Sequence, residues 1–224
     1  MVKILIDSSN VEEIEKINKY YKICGLTTNP SILAKDSVDL RERFLEIKNF
    51  VGDNLEVHVQ TTENTSERIL EEAKKLKEFF GDNFHIKIPV TKEGLRAVRL
   101  CKENKIKVTV TAVLSTLQVL AACEAGANYV APYVNRMENI GNESTIILEE
   151  MVKICSSYET EILAASFKNQ KQFKDTILLG VGAITVQPQL LEESLWHPYT
   201  DKSIFDFEKD WEEKFSGKKV IDFI

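Results

Sequence analysis

The segment FHIKIPVT, residues 84–91, predicts a short β-strand over 84–89 with a lysine in its middle. Side chains alternate between the two faces of a strand, so Ile86 and Ile88 point one way and Lys87 points the other. A lysine held inside a sheet loses water, which disfavours its ammonium form and lowers its pKa. A neutral amine can attack a ketone and form a Schiff base. Because a lone lysine is more often an edge residue that reaches solvent, the neighbouring strands decide between these two interpretations.

Seven other strand patterns flank this one along the chain. They lie at residues 3–7, 23–28, 55–60, 107–113, 128–134, 161–167 and 183–186. Helical patterns, one of them over residues 38–50, follow the strands, and such alternation is typical of a parallel sheet covered by helices. Eight units of this kind close most naturally into a (β/α)8 TIM barrel. An open doubly wound sheet is the alternative, but no GxGxxG follows the first strand, which removes the usual sign of a dinucleotide site.

Most of the predicted strands have one apolar face and one face that is polar, small or aromatic. We expect the apolar face to pack against the helices, with Val57 on the third strand and Leu163 on the seventh as examples. A solvated antiparallel sheet alternates similarly, but the long helices between the strands argue against one. The other face is expected to line the barrel interior. It carries Asp7, His58, Gln60, His85, Lys87, Thr109, Thr111, Tyr129, Tyr133, Ile162, Ala164 and Ser166.

Composition limits the function classes. The chain has 224 residues, 43% of them hydrophobic, which suits one domain with a large core over residues 1–224. A net charge of −6 argues against binding to nucleic acid or an anionic membrane. No apolar run approaches the roughly 20 residues of a membrane span, and the N-terminus opens into a strand without a signal-peptide pattern. We therefore expect a cytoplasmic protein.

The cysteines and histidines give no sign of a metal or cofactor. Cys24, Cys101, Cys123 and Cys155 are widely spaced and include no CxxC pair. They are expected to be small buried hydrophobic residues in a reducing compartment. The three histidines show no HxH or HExxH spacing. We expect neither a metal nor a cofactor.

Several polar residues fall at or just beyond the predicted C-terminal ends of strands, where barrel enzymes place their active sites. Each has an ordinary structural explanation when taken alone, such as a helix cap or a packing residue. If the barrel forms, they converge around Lys87, which lies one step deeper. They are Asp7, Asn29, Gln60, Thr111, Tyr133, Arg136 and Ser166.

The chemistry that this set could perform is cleavage of a carbon–carbon bond in a ketose. Lys87 would attack the ketone and become an iminium, which is an electron sink for the carbanion left when the C3–C4 bond breaks. Asp7, or a water held by Gln60 and Tyr133, could remove the proton of the C4 hydroxyl.

The remaining members of the set suit substrate binding. Arg136 with Ser166 would make a charge-assisted phosphate site. Asn29 and Thr111 would hold substrate hydroxyls or the water.

Six motifs in this order resemble the transaldolase family, in particular its small fructose-6-phosphate aldolase-like branch. They are LIDSSN (5–10), GLTTNPSI (25–32), KIPVTKEGL (87–95), TAV (111–113), EAGANYVAPYVNRMEN (124–139) and LAASFKN (163–169). The resemblance covers nearly the whole chain and implies a (β/α)8 barrel with a metal-free Schiff-base mechanism. It implies that Lys87 is the Schiff-base lysine and Asp7 the carboxylate of the site. It also implies a substrate-binding set of Thr27, Asn29, Thr111, Arg136 and Ser166.

Two positions bear on which reaction of this family is run. The resemblance implies that transaldolases carry a glutamate in the third strand and a phenylalanine where Tyr133 stands. Gln60 and Tyr133 look like the aldolase branch, in which the glutamine positions a water and the tyrosine gives or takes the proton. Shifting the alignment by two would put His58 at the position of Gln60. Gln60 is preferred because it lies nearer the strand end and keeps the next helix in phase.

The resulting hypothesis is an aldolase that reversibly cleaves fructose 6-phosphate, or a similar ketose, to dihydroxyacetone and glyceraldehyde 3-phosphate. The alternative is a transaldolase that passes the dihydroxyacetone unit to erythrose 4-phosphate. A non-catalytic sugar-phosphate-binding barrel is a remote alternative, against which Lys87 and Asp7 argue.

Residues 200–224 form a C-terminal helix and tail rich in aromatic residues between Phe205 and Phe215. The resemblance implies pentamers, often paired into decamers, in which this helix packs on a neighbouring subunit. Packing on its own barrel is the alternative. Both arrangements would bury an otherwise exposed apolar patch.

Overall fold

Eight parallel strands close into a barrel in the computed structural model, which describes residues 2–35 and 39–224. The strands are β1 (Lys3–Asp7), β2 (Gly25–Thr27), β3 (Glu56–Gln60), β4 (Phe84–Pro89), β5 (Lys107–Val113), β6 (Tyr129–Pro132), β7 (Glu161–Ala164) and β8 (Ala183–Val186). Each strand pairs with the next one along the chain, and β8 pairs with β1. The prediction of a (β/α)8 barrel is therefore confirmed, and the open doubly wound sheet was wrong.

Helices occupy the connections between the strands, and two more follow the last strand. They are α1 (Val11–Asn18), α2 (Pro30–Lys35), α3 (Leu40–Val51), α4 (Ser66–Phe80), α5 (Lys92–Glu103), α6 (Thr116–Ala125), α7 (Val134–Asn139), α8 (Ser144–Cys155), α9 (Gln170–Leu178), α10 (Pro188–Leu195) and α11 (Pro198–Phe215). Position 38, at which one helix was predicted to begin, lies outside the described residues. The short helices α2 and α7 were not predicted, and both follow directly on strands β2 and β6.

The connection from β4 to α5 shows how sequence fixes the position of the lysine strand. Helix α5 buries Gly94, Ala97, Val98 and Cys101, a spacing that puts one stripe of the helix against the barrel. The Thr91 hydroxyl caps this helix by accepting from the Gly94 amide at 2.9 Å. A Cβ atom on Gly94 would lie 2.1 Å from the Pro89 carbonyl oxygen. Glycine thus lets the helix pack closely against the end of β4.

The apolar face of most strands packs against the helices as predicted. For β7, the prediction of which side chains face the barrel interior was wrong. Ile162 and Ala164 lie in the layer between strands and helices, whereas Leu163 packs inside the barrel with Leu5 and Tyr129. The prediction placed Ile162, Ala164 and Ser166 on one face of a regular strand over 161–167. The regular strand stops at Ala164, and Ser166 has a left-handed backbone with φ of 65°, so the alternation is interrupted between them.

A bulge in β5 brings two consecutive residues to the barrel interior. The pairing of β5 with β6 shifts register between Val110 and Val113, and both valines pack in the outer layer. Thr111 and Ala112 lie between them, and Ala112 has φ of 60°. An extra residue of this kind re-aims side chains at the rim of a sheet.

The C-terminal helices differ in their contact with the barrel. Leu190 and Leu191 of α10 are buried, whereas α11 has no buried residue. Phe205 is 65% exposed and Phe207 is 70% exposed. None of the described helices is long and apolar enough to cross a membrane.

Candidate active site

A cavity of about 350 Å³ opens at the C-terminal ends of the strands. Seven of the nine predicted site residues line it: Asp7, Asn29, Gln60, Lys87, Tyr133, Arg136 and Ser166. The other two, Thr27 and Thr111, are fully buried behind the lining. Both hydrogen-bond to side chains that do line the cavity.

Lys87 lies at the base of this cavity with only 4% of its surface exposed. Its ammonium nitrogen Nζ donates to the Thr28 carbonyl oxygen at 2.8 Å. Burial lowers the pKa of Lys87, and the Asp7 carboxylate acts in the opposite direction. A larger share of this lysine is therefore the neutral amine at neutral pH, which is the form that attacks a carbonyl carbon.

Asp7 is oriented by a relay of two threonines. Thr27 Oγ1 donates to an Asp7 carboxylate oxygen at 2.7 Å and lies 2.7 Å from Thr185 Oγ1. A hydroxyl has one proton, and Thr27 gives its proton to the carboxylate, so Thr185 is the donor in the second bond. Thr185 also lines the cavity and was missed in the sequence. A signal was present, because Ile184 and Val186 on either side of it face the helices.

Asn29 has a structural contact as well as a place in the cavity. Its side-chain oxygen Oδ1 accepts from the Ile32 amide at 3.0 Å, which satisfies a free donor at the start of α2. With the oxygen engaged, the two N–H groups of its amide are the donors left for a ligand. This interaction also explains why a short helix follows directly on β2.

Tyr133 and Arg136 are positioned by the unpredicted helix α7. Tyr133 immediately precedes the helix, and its hydroxyl lies 3.0 Å from Thr111 Oγ1. The Arg136 guanidinium lies 5.0 Å from the centroid of the Tyr133 ring, a cation–π distance. Facing them is Ser166, whose left-handed backbone lets its carbonyl accept from the Asn135 amide at 3.0 Å. Strained backbone of this kind is concentrated at functional sites.

Gln60, rather than His58, reaches the cavity from the third strand. Gln60 is the last residue of β3 and pairs in register with Lys87. His58 is fully buried two residues deeper and bonds to Thr109 Oγ1 at 2.8 Å. The geometry therefore favours the alignment with Gln60.

Other cavity residues were not predicted. Lys168 follows the β7 segment and lines the same cavity as Arg136, so a second cation is present there. Gln187 and Ser31 also contribute to the lining.

One group among the described residues has the composition of a metal site. Atoms of Glu56, His58 and His85 lie within 4.8 Å of one another. The two imidazoles stack with centroids 4.2 Å apart and an angle of 8° between the rings. Lone pairs in two parallel ring planes cannot meet at one ion, so the rings would have to turn to bind it. None of these residues lines the Lys87 cavity.

Sequence comparison agrees with this geometry. Residues 4–222 match the family model described as Transaldolase/Fructose-6-phosphate aldolase. This chain belongs to that family. The resemblance seen in the motifs is thereby confirmed. Relatives of this chain in the family carry either the name transaldolase or the name fructose-6-phosphate aldolase.

A protein of Alkaliphilus metalliredigens named "Probable transaldolase" is 38% identical, covering 94% of this chain and 98% of that protein. A protein of Clostridioides difficile with the same name is 38% identical, covering 94% of this chain and 97% of that protein. A protein of Streptococcus pneumoniae named "Probable fructose-6-phosphate aldolase" is 34% identical, covering 94% of this chain and 96% of that protein. Family membership alone therefore does not separate the two reactions.

Proposed function

We propose that this protein is a Schiff-base aldolase that reversibly cleaves fructose 6-phosphate, or a similar ketose, to dihydroxyacetone and glyceraldehyde 3-phosphate. The observation that carries the proposal is Lys87, a buried lysine with a lowered pKa that lies in a cavity beside Asp7. Perturbed titratable groups in a cleft at the C-terminal end of a barrel are typical of catalytic sites.

The reaction begins at the Lys87 amine, which attacks the C2 ketone. Loss of water leaves an iminium, and this cation serves as the electron sink. A base takes the proton of the C4 hydroxyl, the C3–C4 bond breaks, and glyceraldehyde 3-phosphate leaves. The electron pair of that bond forms an enamine, which takes a proton at C3. Water then releases dihydroxyacetone and restores the amine.

The proton steps fall to groups around the lysine. Asp7, held by Thr27, or a water held by Gln60 and Tyr133 takes the C4 proton. The contact between the Tyr133 hydroxyl and Thr111 fixes the position of that hydroxyl in the cavity. Thr27, Asn29 and Thr111 complete the pocket for the dihydroxyacetone part of the substrate.

Arg136 and Ser166 are proposed to bind the phosphate. Both line the cavity, and an arginine can bond a phosphate through two N–H groups at once. In Arg136→Gln we expect KM for fructose 6-phosphate to rise roughly 10- to 100-fold. Adduct formation with unphosphorylated dihydroxyacetone should be unchanged, and an equal loss with both compounds would contradict the phosphate role.

The second candidate is a transaldolase, the name carried by two of the three relatives described above. Gln60 and Tyr133 favour the aldolase, because glutamine can hold a water but cannot ionise to activate it. The test is glyceraldehyde 3-phosphate release from fructose 6-phosphate with and without erythrose 4-phosphate. Steady release without the acceptor supports the aldolase. Release only with the acceptor makes the protein a transaldolase.

Helix α11 is proposed to dock on a neighbouring subunit of a pentamer or decamer. The support is its lack of buried residues and the exposure of Phe205 and Phe207. Light scattering on the full chain and on a chain ending at Leu195 tests this, and the same number of subunits in both would contradict it. A cytoplasmic location fits the proposal, because charged sugar phosphates do not cross a membrane unaided.

A further inference from the structure

Two cysteines that are far apart in sequence lie side by side at the opposite end of the barrel from Lys87. Cys123 belongs to α6 and Cys155 is the last residue of α8. Their sulfur atoms are 3.9 Å apart. The absence of a CxxC pair predicted isolated buried thiols, but the packing of α6 against α8 creates a dithiol that spacing alone cannot reveal.

The two cysteines are about equally buried, at 5% and 6% exposed, but only Cys123 borders a cavity. Cys123 lines a cavity of about 730 Å³ together with Lys102, Lys107 and Thr160, whereas Cys155 does not line it. Lys107 begins β5, so this cavity lies at the N-terminal ends of the strands. None of its lining residues belongs to the Lys87 cavity. A small reagent that enters this cavity therefore reaches Cys123 without entering the active site.

The neighbours of Cys123 favour its thiolate form. Hydrogen bonding from the Cys155 thiol lowers the pKa of Cys123 to about 7 despite burial. The same contact raises the pKa of Cys155. Cys101 provides a comparison within the chain, because it is buried without a thiol partner and burial raises its pKa to about 11.

We propose that Cys123 and Cys155 form a hydroperoxide-reactive dithiol site that closes to an intramolecular disulfide. The Cys123 thiolate attacks the O–O bond of a hydroperoxide ROOH, which gives a sulfenic acid and releases ROH after proton uptake. The Cys155 sulfur then attacks the sulfenic sulfur, the S–S bond forms, and water leaves. Two thiols are oxidised, one hydroperoxide is reduced, and the products are one disulfide, ROH and water.

Closure requires a small movement of the two sulfur atoms. They must approach from 3.9 Å to about 2.05 Å, the length of a disulfide. Cys155 ends α8, and Cys123 lies two residues before the end of α6. Terminal helical turns adjust more readily than helix centres, so the approach leaves the strands in place.

The test uses the full native chain treated with hydrogen peroxide, quenched, and then denatured for thiol counting, intact mass and peptide mapping. The chain has four cysteines, and we expect two thiols to remain, with a mass loss of two hydrogen atoms and a Cys123–Cys155 cross-linked peptide. Cys101→Ser is the matched control and should still form the disulfide. In Cys155→Ser, Cys123 should give a dimedone-trapped sulfenic acid at least about tenfold faster than Cys101 reacts.

Four thiols remaining, at a peroxide dose that oxidises a free cysteine reference, would overturn the proposal. A cross-link involving Cys24 or Cys101 instead would also overturn it. If the serine variants fail to fold, the peptide map of the unmodified chain still decides the question.

Discussion

The two ends of the barrel interior both hold buried titratable side chains, but they are organised differently. At the C-terminal end, Lys87 and Asp7 face a cavity of about 350 Å³. At the N-terminal end, hydrogen bonds join Lys3, Tyr129, Glu56 and His58, and His85 stacks on His58. The first arrangement leaves room and polar groups for a substrate, whereas the second fills the barrel with its own contacts.

The contacts of the N-terminal end form a continuous network. Lys3 Nζ donates to the Tyr129 hydroxyl at 2.9 Å, and that hydroxyl donates to a Glu56 carboxylate oxygen at 3.2 Å. The other carboxylate oxygen of Glu56 lies 3.2 Å from His58 Nε2. Because these polar groups satisfy one another, the network can be buried without a ligand.

Altered pKa values occur at both ends, so they do not identify the site by themselves. Burial, with repulsion from His58, lowers the pKa of His85 to about 2. Burial also lowers the pKa of Lys87. Of these two residues, Lys87 combines the shift with a place in the cavity and a nearby carboxylate, whereas His85 does not line that cavity, so an altered pKa has to be read together with its surroundings.

The largest expected effect separates the two ends directly. We expect Lys87→Met to lower aldol cleavage by about 10⁴-fold or more, because the electron sink is lost. His85→Leu changes the same face of the same strand two residues deeper and should keep activity within about threefold. Initial rates of glyceraldehyde 3-phosphate formation measure both. Comparable losses in the two variants would contradict the assignment of catalysis to the C-terminal end alone.

Removing the carboxylate beside the lysine is the next largest change. In Asp7→Asn we expect kcat to fall roughly 10²- to 10³-fold, because a proton-transfer group is lost. The Asp7 charge favours the ammonium form of Lys87, so the pKa of Lys87 should fall further in this variant. The acidic limb of the pH profile for adduct formation should therefore move to lower pH. A shift to higher pH would contradict this electrostatic assignment.

A smaller effect is expected from the relay behind Asp7. Thr185→Val removes the donor to Thr27 and should lower kcat about 3- to 10-fold with little change in KM, the scale of one lost hydrogen bond. Thr185→Ser keeps the hydroxyl and should restore kcat. If serine and valine behave alike, the side chain acts through packing and not through the relay.

The smallest effect concerns stability. The unfolded chain holds the Lys87 proton up to the ordinary lysine pKa of 10.5, whereas the folded protein releases it at lower pH. The unfolded state therefore binds more protons in that interval, and the stability of the natural protein rises with pH there. Lys87→Met should raise Tm by a few degrees at pH 7, and the gain should shrink as pH approaches 10. A gain that grows with pH would contradict the sign.

Much of the fold and of the site follows from short-range pattern. The isoleucines around Lys87 indicated its strand and its face, and eight strand–helix repeats favoured closure into a barrel over an open sheet. The phase of β7 could not be predicted, because the left-handed backbone at Ser166 interrupts the alternation. Helix α7 was missed because its six residues are too few to show a helical period.

Contacts that depend on how the elements pack could not be predicted from the pattern of residues along the sequence. Thr185 reaches Thr27, which donates to Asp7, only because closure of the barrel joins β8 to β1. The pairing of Cys123 with Cys155 likewise requires α6 to lie against α8. The two stacked histidines become neighbours through the register of β3 and β4, which pairs His58 with His85.

The measurement that tests the central claim most directly is borohydride reduction of the protein in the presence of dihydroxyacetone, followed by peptide mapping. We predict a reduced adduct on the peptide that contains Lys87 and none in Lys87→Met. Lys168 lines the same cavity and is the control nucleophile. An adduct on Lys168, or no adduct with dihydroxyacetone and fructose 6-phosphate alike, would contradict the Schiff-base account.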